Sequence, residues 1–227
     1  MDNANADTTA AAIPKFPLLA LSQGAFENLY KFLATDEIIL LSEVAANYKE
    51  DIARLERVKR GQSLEVEVNR IKTSVTLMND GKRVFRWTFV LKRHSMIASS
   101  INFVERNIGG ASYQVALRPA DSSTDWLSVN DYAQFETDIQ HVVTCFKDIF
   151  QCPISKLSLD FYDHTDFDRL LVKSPIFHQA ESIEVADCAF EKEEITFMLD
   201  HFKTDKLVFL GIAGKYYKHG KTFPGGS

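Results

Sequence analysis

The stretch that decides the fold runs from residue 16 to residue 52 and reads FPLLALSQGAFENLYKFLATDEIILLSEVAANYKEDI. Its apolar side chains recur three and four positions apart, which predicts a string of short amphipathic helices. Ser22 is a favourable N-cap for the first of them, and Thr35 or Asp36 for the second. A third helix is predicted from about Ala46 to Arg57, ending before Gly61.

The apolar period changes from helical to alternating beyond residue 61. Leu64, Val66 and Val68 alternate with polar residues, which indicates a half-buried strand. The tripeptide Asn79-Asp80-Gly81 predicts a hairpin turn, and Gly109-Gly110 predicts another. Residues 61–129 are therefore predicted to form an antiparallel meander of three to five strands.

The last region, residues 130–227, opens with a predicted long helix that Asn130 would cap. Strand and helix signals then alternate, with Leu157, Ile183 and Leu207 at equivalent places 26 and 24 residues apart. One strand and one helix per unit at this spacing resembles leucine-rich repeats. The fold-class prediction is α+β: three N-terminal helices, an antiparallel β-meander, then repeat-like strand and helix units.

The first region resembles an F-box along its whole length without a gap. Leu21 stands at the opening leucine of that motif, Leu29-Tyr30 at its Ile-Phe pair, and Glu37-Ile38-Ile39 at its Glu-Leu-Leu. The complete chain resembles the nematode F-box proteins, in which an F-box precedes a variable associated region. The domain prediction is then a disordered tail over 1–15, an F-box over 16–60, and a substrate-binding region over 61–227.

An F-box implies a substrate adaptor that docks on a Skp1-type subunit, and through it on a cullin, to bring a target protein to a ubiquitin ligase. The resemblance implies eight Skp1-binding residues: Leu21, Leu29, Tyr30, Leu33, Ile38, Ile39, Val44 and Tyr48. The exposed face of the later strands would bind the target through Lys156, Ser158, Ser182 and Glu184. Such an adaptor is not an enzyme and needs no cofactor.

Two other functions stay open. Ser22 replaces the usual proline, Gly24 the common glutamate, and Ala45–Tyr48 the Cys-x-x-Trp stretch, so the chain could instead be a scaffold or inhibitor that no longer docks on Skp1. Eleven of the 26 Lys and Arg residues, against four of the 31 acids, fall between Arg54 and His94. That basic window could bind nucleic acid, although a solvated face is the commoner meaning.

Composition bounds the class of protein. The chain has 227 residues, 45% hydrophobic and 25% charged, as in ordinary globular domains. No apolar run approaches the roughly 18 residues of a membrane span, and residues 1–14 lack the pattern of a secretory signal. Three cysteines at no metal spacing fit free thiols in a reducing compartment. The expected location is the cytoplasm or the nucleus.

Three patterns are candidates for sites of chemistry. His141 and Cys145, four apart on a predicted helix, could share a metal, but a buried thiol beside a surface imidazole is the commoner arrangement. Asp160, Asp163, Asp166 and Asp168 could bind calcium, but acids that complement a helix dipole explain them better. Cys188 is expected to be an inert core thiol. None of the common catalytic motifs is present.

Overall fold

Alternating apolar and polar residues build most of this protein, whose structure here is a computed structural model. It describes residues 21–44, 62–69, 72–91, 102–120, 123–131, 133–160, 170–186, 192–211 and 214–217. The chain divides into two compact units, Met1–Leu33 and Ala34–Ser227. The predicted tail over 1–15 and the third helix from Ala46 to Arg57 lie outside the described residues.

The first unit contains helix α1 (Gln23–Tyr30). In the second unit the helices are α2 (Thr35–Val44), α3 (Phe135–Phe150), α4 (Leu170–Lys173) and α5 (Lys192–His201). The strands are β1 (Gln62–Val68), β2 (Lys72–Asn79), β3 (Lys82–Leu91), β4 (Val104–Ile108), β5 (Ala111–Ala120), β6 (Ser123–Asn130), β7 (Ile154–Asp160), β8 (Ile183–Ala186), β9 (Leu207–Gly211) and β10 (Gly214–Tyr217).

All ten strands belong to one sheet, in the order β10-β9-β8-β7-β1-β2-β3-β6-β5-β4. The pairs β1–β7, β7–β8, β8–β9 and β3–β6 are parallel, and the others are antiparallel. The predicted fold class is therefore wrong. The meander and the repeat-like strands are one mixed sheet, because β1 pairs with β7 across more than 80 residues of chain.

The two predicted hairpin turns are confirmed. Asp80 (φ 49°) and Gly81 (φ 73°) form the two-residue turn that joins β2 to β3. Gly109 (φ 57°) and Gly110 (φ 82°) do the same for β4 and β5. Left-handed conformations at both central positions match the twist of the flanking strands, which is why Asp-Gly and Gly-Gly predict such hairpins.

One face of the sheet packs against α3. The helix buries eight side chains along one stripe, including Ile139, Val142 and Phe146. The Phe146 ring lies 5.7 Å from the ring of Phe85 and 6.2 Å from that of Trp87, whose own neighbour Trp126 is 5.1 Å away. Dense aromatic packing of this kind makes this face the hydrophobic core of the second unit. We call it the covered face.

The predicted start of α3 is displaced. Asn130 ends β6 instead of capping the helix, and its side-chain amide donates to Asp138 Oδ2 at 2.6 Å, one turn into α3. Gln134 stands at the N-cap position without a side-chain cap bond. The helix ends at Gln151 in the left-handed conformation (φ 50°), whose N–H donates to the Lys147 carbonyl.

Candidate functional site

Helix α1 displays apolar side chains of the F-box-like stretch. Ser22 caps it as predicted, accepting a hydrogen bond from the Ala25 N–H at 3.4 Å. Leu21 is 38% exposed and Phe32, just past the helix, is 86% exposed. Sequence reasoning did not single out Phe32, whose only signal is a phenylalanine next to the predicted Leu33. Phe32 is the most exposed large apolar side chain among the residues that the structure describes.

The other predicted Skp1-binding residues of the first unit are less exposed. Leu29 and Leu33 are half-buried, whereas Tyr30 is 3% exposed. Leu29 lies on α1, whereas Leu33 follows the turn at residues 31–32. Among the described residues of this unit, Leu21, Leu29 and Leu33 are thus the accessible apolar residues of the F-box-like pattern, and Phe32 adds a fourth apolar side chain beside them.

The start of helix α2 is capped by Glu37, a residue of the F-box-like pattern. The Glu37 carboxylate accepts a hydrogen bond from the Ala34 N–H at 2.7 Å, as the third residue of a capping box does. Ile38 and Ile39 are 4% and 0% exposed, and α2 contacts β3, β4 and α3. These two predicted Skp1-binding residues therefore belong to the packing of the second unit. Val44 ends α2, and Tyr48 lies outside the described residues.

The predicted target-binding residues lie on the other side of the sheet from α3. Lys156 and Ser158 project from β7 on the side opposite to the buried Leu157 and Leu159. Lys156 Nζ lies 3.0 Å from Glu184 Oε2 of β8, and the two side chains are 43% and 39% exposed. The structure thus brings together three of the four predicted residues. Ser182 precedes β8, where its carbonyl accepts from the Leu157 N–H at 2.8 Å.

Two acids that sequence reasoning did not assign join this group. Glu65 is the register partner of Lys156, and Glu67 that of Ser158. We call Glu65, Glu67, Lys156, Ser158 and Glu184 together the polar strand face. Alternation in β1 shows that the two glutamates point away from the core, but their proximity to β7 depends on a parallel pairing that no local pattern reveals.

Helices occupy the covered face. The connections β7–α4–β8 and β8–α5–β9 join neighbouring parallel strands in sheet order. Such crossovers are right-handed almost without exception, which places α4 and α5 on one side. Because α4 contacts α3, that side is the covered face. No described helix of the second unit lies over the polar strand face along β1, β7 and β8.

His141 and Cys145 of α3 contact Gly109 and Tyr113 of the β4–β5 hairpin, and we call these four residues the hairpin contact. His141 Nε2 lies 3.1 Å from the Gly109 carbonyl oxygen, and Nδ1 lies 2.7 Å from the Tyr113 hydroxyl. A carbonyl only accepts, so Nε2 carries a proton, and in the neutral imidazole Nδ1 accepts from the Tyr113 hydroxyl. Cys145 Sγ is 3.7 Å from Nε2 and the residue is 5% exposed. Both imidazole nitrogens are engaged, which suits a tie between hairpin and helix.

Burial shifts the pKa values of two groups at or near the hairpin contact. Burial, and after it the nearby Asp138 and Cys145, raises the pKa of the Tyr113 hydroxyl well above its ordinary value. Burial also raises the pKa of Asp138, against the opposing effects of the Asn130 hydrogen bond and His141. The neutral forms are favoured because the hydroxyl and the carboxyl are partly removed from water.

The remaining sequence-predicted sites fall largely outside the described residues. Among residues that the structure describes, no three His, Cys, Asp or Glu side chains converge as metal ligands would. Asp163, Asp166, Asp168 and Cys188 lie outside that part of the chain. So do seven of the eleven bases of the basic window (54, 57, 59, 60, 70, 92 and 93). The described residues therefore do not test the calcium and nucleic-acid alternatives.

Comparisons with known proteins found no similar protein. No family model matches the chain, and neither the curated proteins nor the solved structures contain a match.

The helices were also compared with the requirements of a membrane span. None of those within the described ranges combines the length and the apolar character that crossing a bilayer requires.

Proposed function

We propose that this protein is a substrate-recognition adaptor of a Skp1–cullin–F-box ubiquitin ligase. One observation carries the proposal. Of the F-box-like residues, Leu29 and Tyr30 lie on α1, and Ile38, Ile39 and Val44 lie on α2. The starts of these consecutive short helices are capped by Ser22 and by Glu37, both within that stretch. The Skp1-type subunit would dock on this N-terminal region, and residues 61–227 would hold the target. The site of action would be the cytoplasm or the nucleus.

Burial divides the predicted Skp1-binding residues, together with Phe32, into two groups. Leu21, Leu29, Phe32 and Leu33 are accessible to a partner, whereas Tyr30, Ile38 and Ile39 are buried in the protein itself. The proposal therefore assigns docking to the accessible group. Complete burial of one such large side chain contributes about 1.5–3 kcal/mol before the costs of association. Four of them suffice for an interface anchor of the kind that dominates binding energy.

The target would be held on the polar strand face. Its side chains stand on three adjacent strands of a rigid sheet, so their spacing is set by the backbone and not by loop conformation. The ligase would then bring a ubiquitin-loaded enzyme to lysines of the bound target. In this scheme the chain itself performs no chemical step.

The experiment is a titration of the full chain with a Skp1 homologue from a nematode. We expect micromolar or tighter binding, reduced at least tenfold by Leu21→Asp with Phe32→Asp. Val104→Asp is the matched control, because Val104 is a large apolar residue that is also exposed, at 39%, but lies in the other unit on β4. The absence of Skp1 binding, or equal losses in both variants, would refute the proposal.

A second candidate is a scaffold or inhibitor that captures a partner without degrading it. The burial of Ile38 and Ile39 favours it, because these positions are then committed to the sheet and to α3. The replacement of the usual F-box residues by Ser22 and Gly24 points the same way. Under this alternative the chain binds its partner and leaves a Skp1 homologue free in the same titration.

A further inference from the structure

Four neighbouring strands, β9, β8, β7 and β1, run parallel to each other. Parallel sheets usually have both faces covered, because their strands are apolar on both sides and their connections carry helices. Here the described helices of the second unit lie on one side. The opposite side bears half-exposed apolar residues on β9, Val208 and Leu210, next to the polar strand face. On this side β1, β7 and β8 carry charged and hydroxyl side chains, so a partner that binds there must be polar and complementary in charge.

The charge of the polar strand face indicates which kind of partner would bind there. It carries three acids and one base, and the single base, Lys156, is already paired with Glu184. No described base forms an ion pair with Glu65 or Glu67. The two glutamates stand two residues apart on one side of β1, which separates their Cα atoms by about 7 Å. That is also the repeat between alternate side chains of an extended polypeptide laid along the strand.

We propose that the polar strand face binds an extended segment of the target whose alternate residues are lysine or arginine. This inference rests on the proposed function, because it names the kind of target that the adaptor holds. Glu65 and Glu67 accept charged hydrogen bonds from successive basic side chains. Ser158, the register partner of both Glu67 and Glu184, adds a hydroxyl between the two acids.

The test uses a fluorescein-labelled peptide, Lys-Val-Lys-Val-Lys-Val-Lys, and the full chain in complex with a Skp1 homologue. A second peptide with glutamate in place of lysine is the charge control. We expect saturable binding of the lysine peptide only, weakened on the order of tenfold by Glu65→Gln with Glu67→Gln, since exposed ion pairs are individually modest. Raising the salt concentration to about 0.5 M weakens it further, because exposed charges are screened.

Glu181→Gln with Glu193→Gln is the matched variant. Both glutamates are exposed, lie outside the polar strand face, and give the same change in net charge. Equal weakening by the two double variants means attraction to net charge alone and overturns the proposal. So does binding of the glutamate peptide, or of neither peptide. Skp1 binding is measured in the same samples, so loss of Skp1 binding with retained peptide selectivity counts against the adaptor function and not against this face.

Discussion

Replacement of Gly109 by alanine tests the hairpin contact, through which the β4–β5 hairpin packs on α3. A Cβ at this position would overlap Cys145 Sγ and lie 2.9 Å from His141 Nε2, and the residue has φ of +57°. The left-handed conformation destabilises a residue with a Cβ by about 1–2 kcal/mol. Overpacking against the thiol and the imidazole adds about 1–3 kcal/mol. The expected loss is therefore about 2–5 kcal/mol in the free energy of unfolding.

Gly110→Ala separates the two contributions. Gly110 has φ of +82°, but a methyl added there would meet nothing within 4 Å, so only the conformational strain applies. Urea unfolding followed by the fluorescence of the buried Trp87 and Trp126 measures both variants. We expect the Gly109 variant to lose at least about 1 kcal/mol more than the Gly110 variant, and Cys145→Ala to restore part of the difference. Equal losses at the two glycines would refute the packing of α3 on the hairpin.

Two further predictions concern Tyr113 in the hairpin contact and Asp138 next to it. Tyr113→Phe should lower the free energy of unfolding by about 1–2 kcal/mol, measured by the same unfolding curves, because His141 Nδ1 loses its partly buried donor. An unchanged midpoint would contradict the hydrogen bond. For Asp138, the raised pKa means that the folded chain holds the proton more tightly than the unfolded chain. The stability of the wild type relative to Asp138→Asn should therefore fall as pH rises from the ordinary value of 3.8 through the raised value, and stay level above it. A relative stability that grows with pH over this range would show the opposite shift.

Local chemistry could be read from the sequence because it depends on near neighbours. Asp80-Gly81 and Gly109-Gly110 need left-handed backbone at adjacent positions, and the turn type follows. The stripe of apolar residues in α3 requires a partner surface, and the helix is predicted within a few residues of its bounds. Even the 26- and 24-residue spacing is informative, since Leu157, Ile183 and Leu207 are register partners across three parallel strands.

Long-range pairing could not be read in the same way. The alternation in β1 is equally satisfied by a strand of a separate meander and by a strand that joins β7, because both bury one side of it. Predicting a repeat array assumes that β7 is an end strand, whereas β1 continues the sheet there. The same missing pairing conceals Glu65 and Glu67 as neighbours of Lys156. Phe32 was missed because its exposure depends on how the rest of the first unit packs.

Hydrogen exchange of the full chain, with and without a Skp1 homologue, tests the adaptor proposal most directly. Docking on the accessible residues of the first unit should slow exchange of backbone amides in residues 21–33, including helix α1. Strands β1, β7 and β8 should exchange at unchanged rates, because the target surface is left open. Protection confined to those strands, or no protection anywhere at saturating Skp1, would contradict the account.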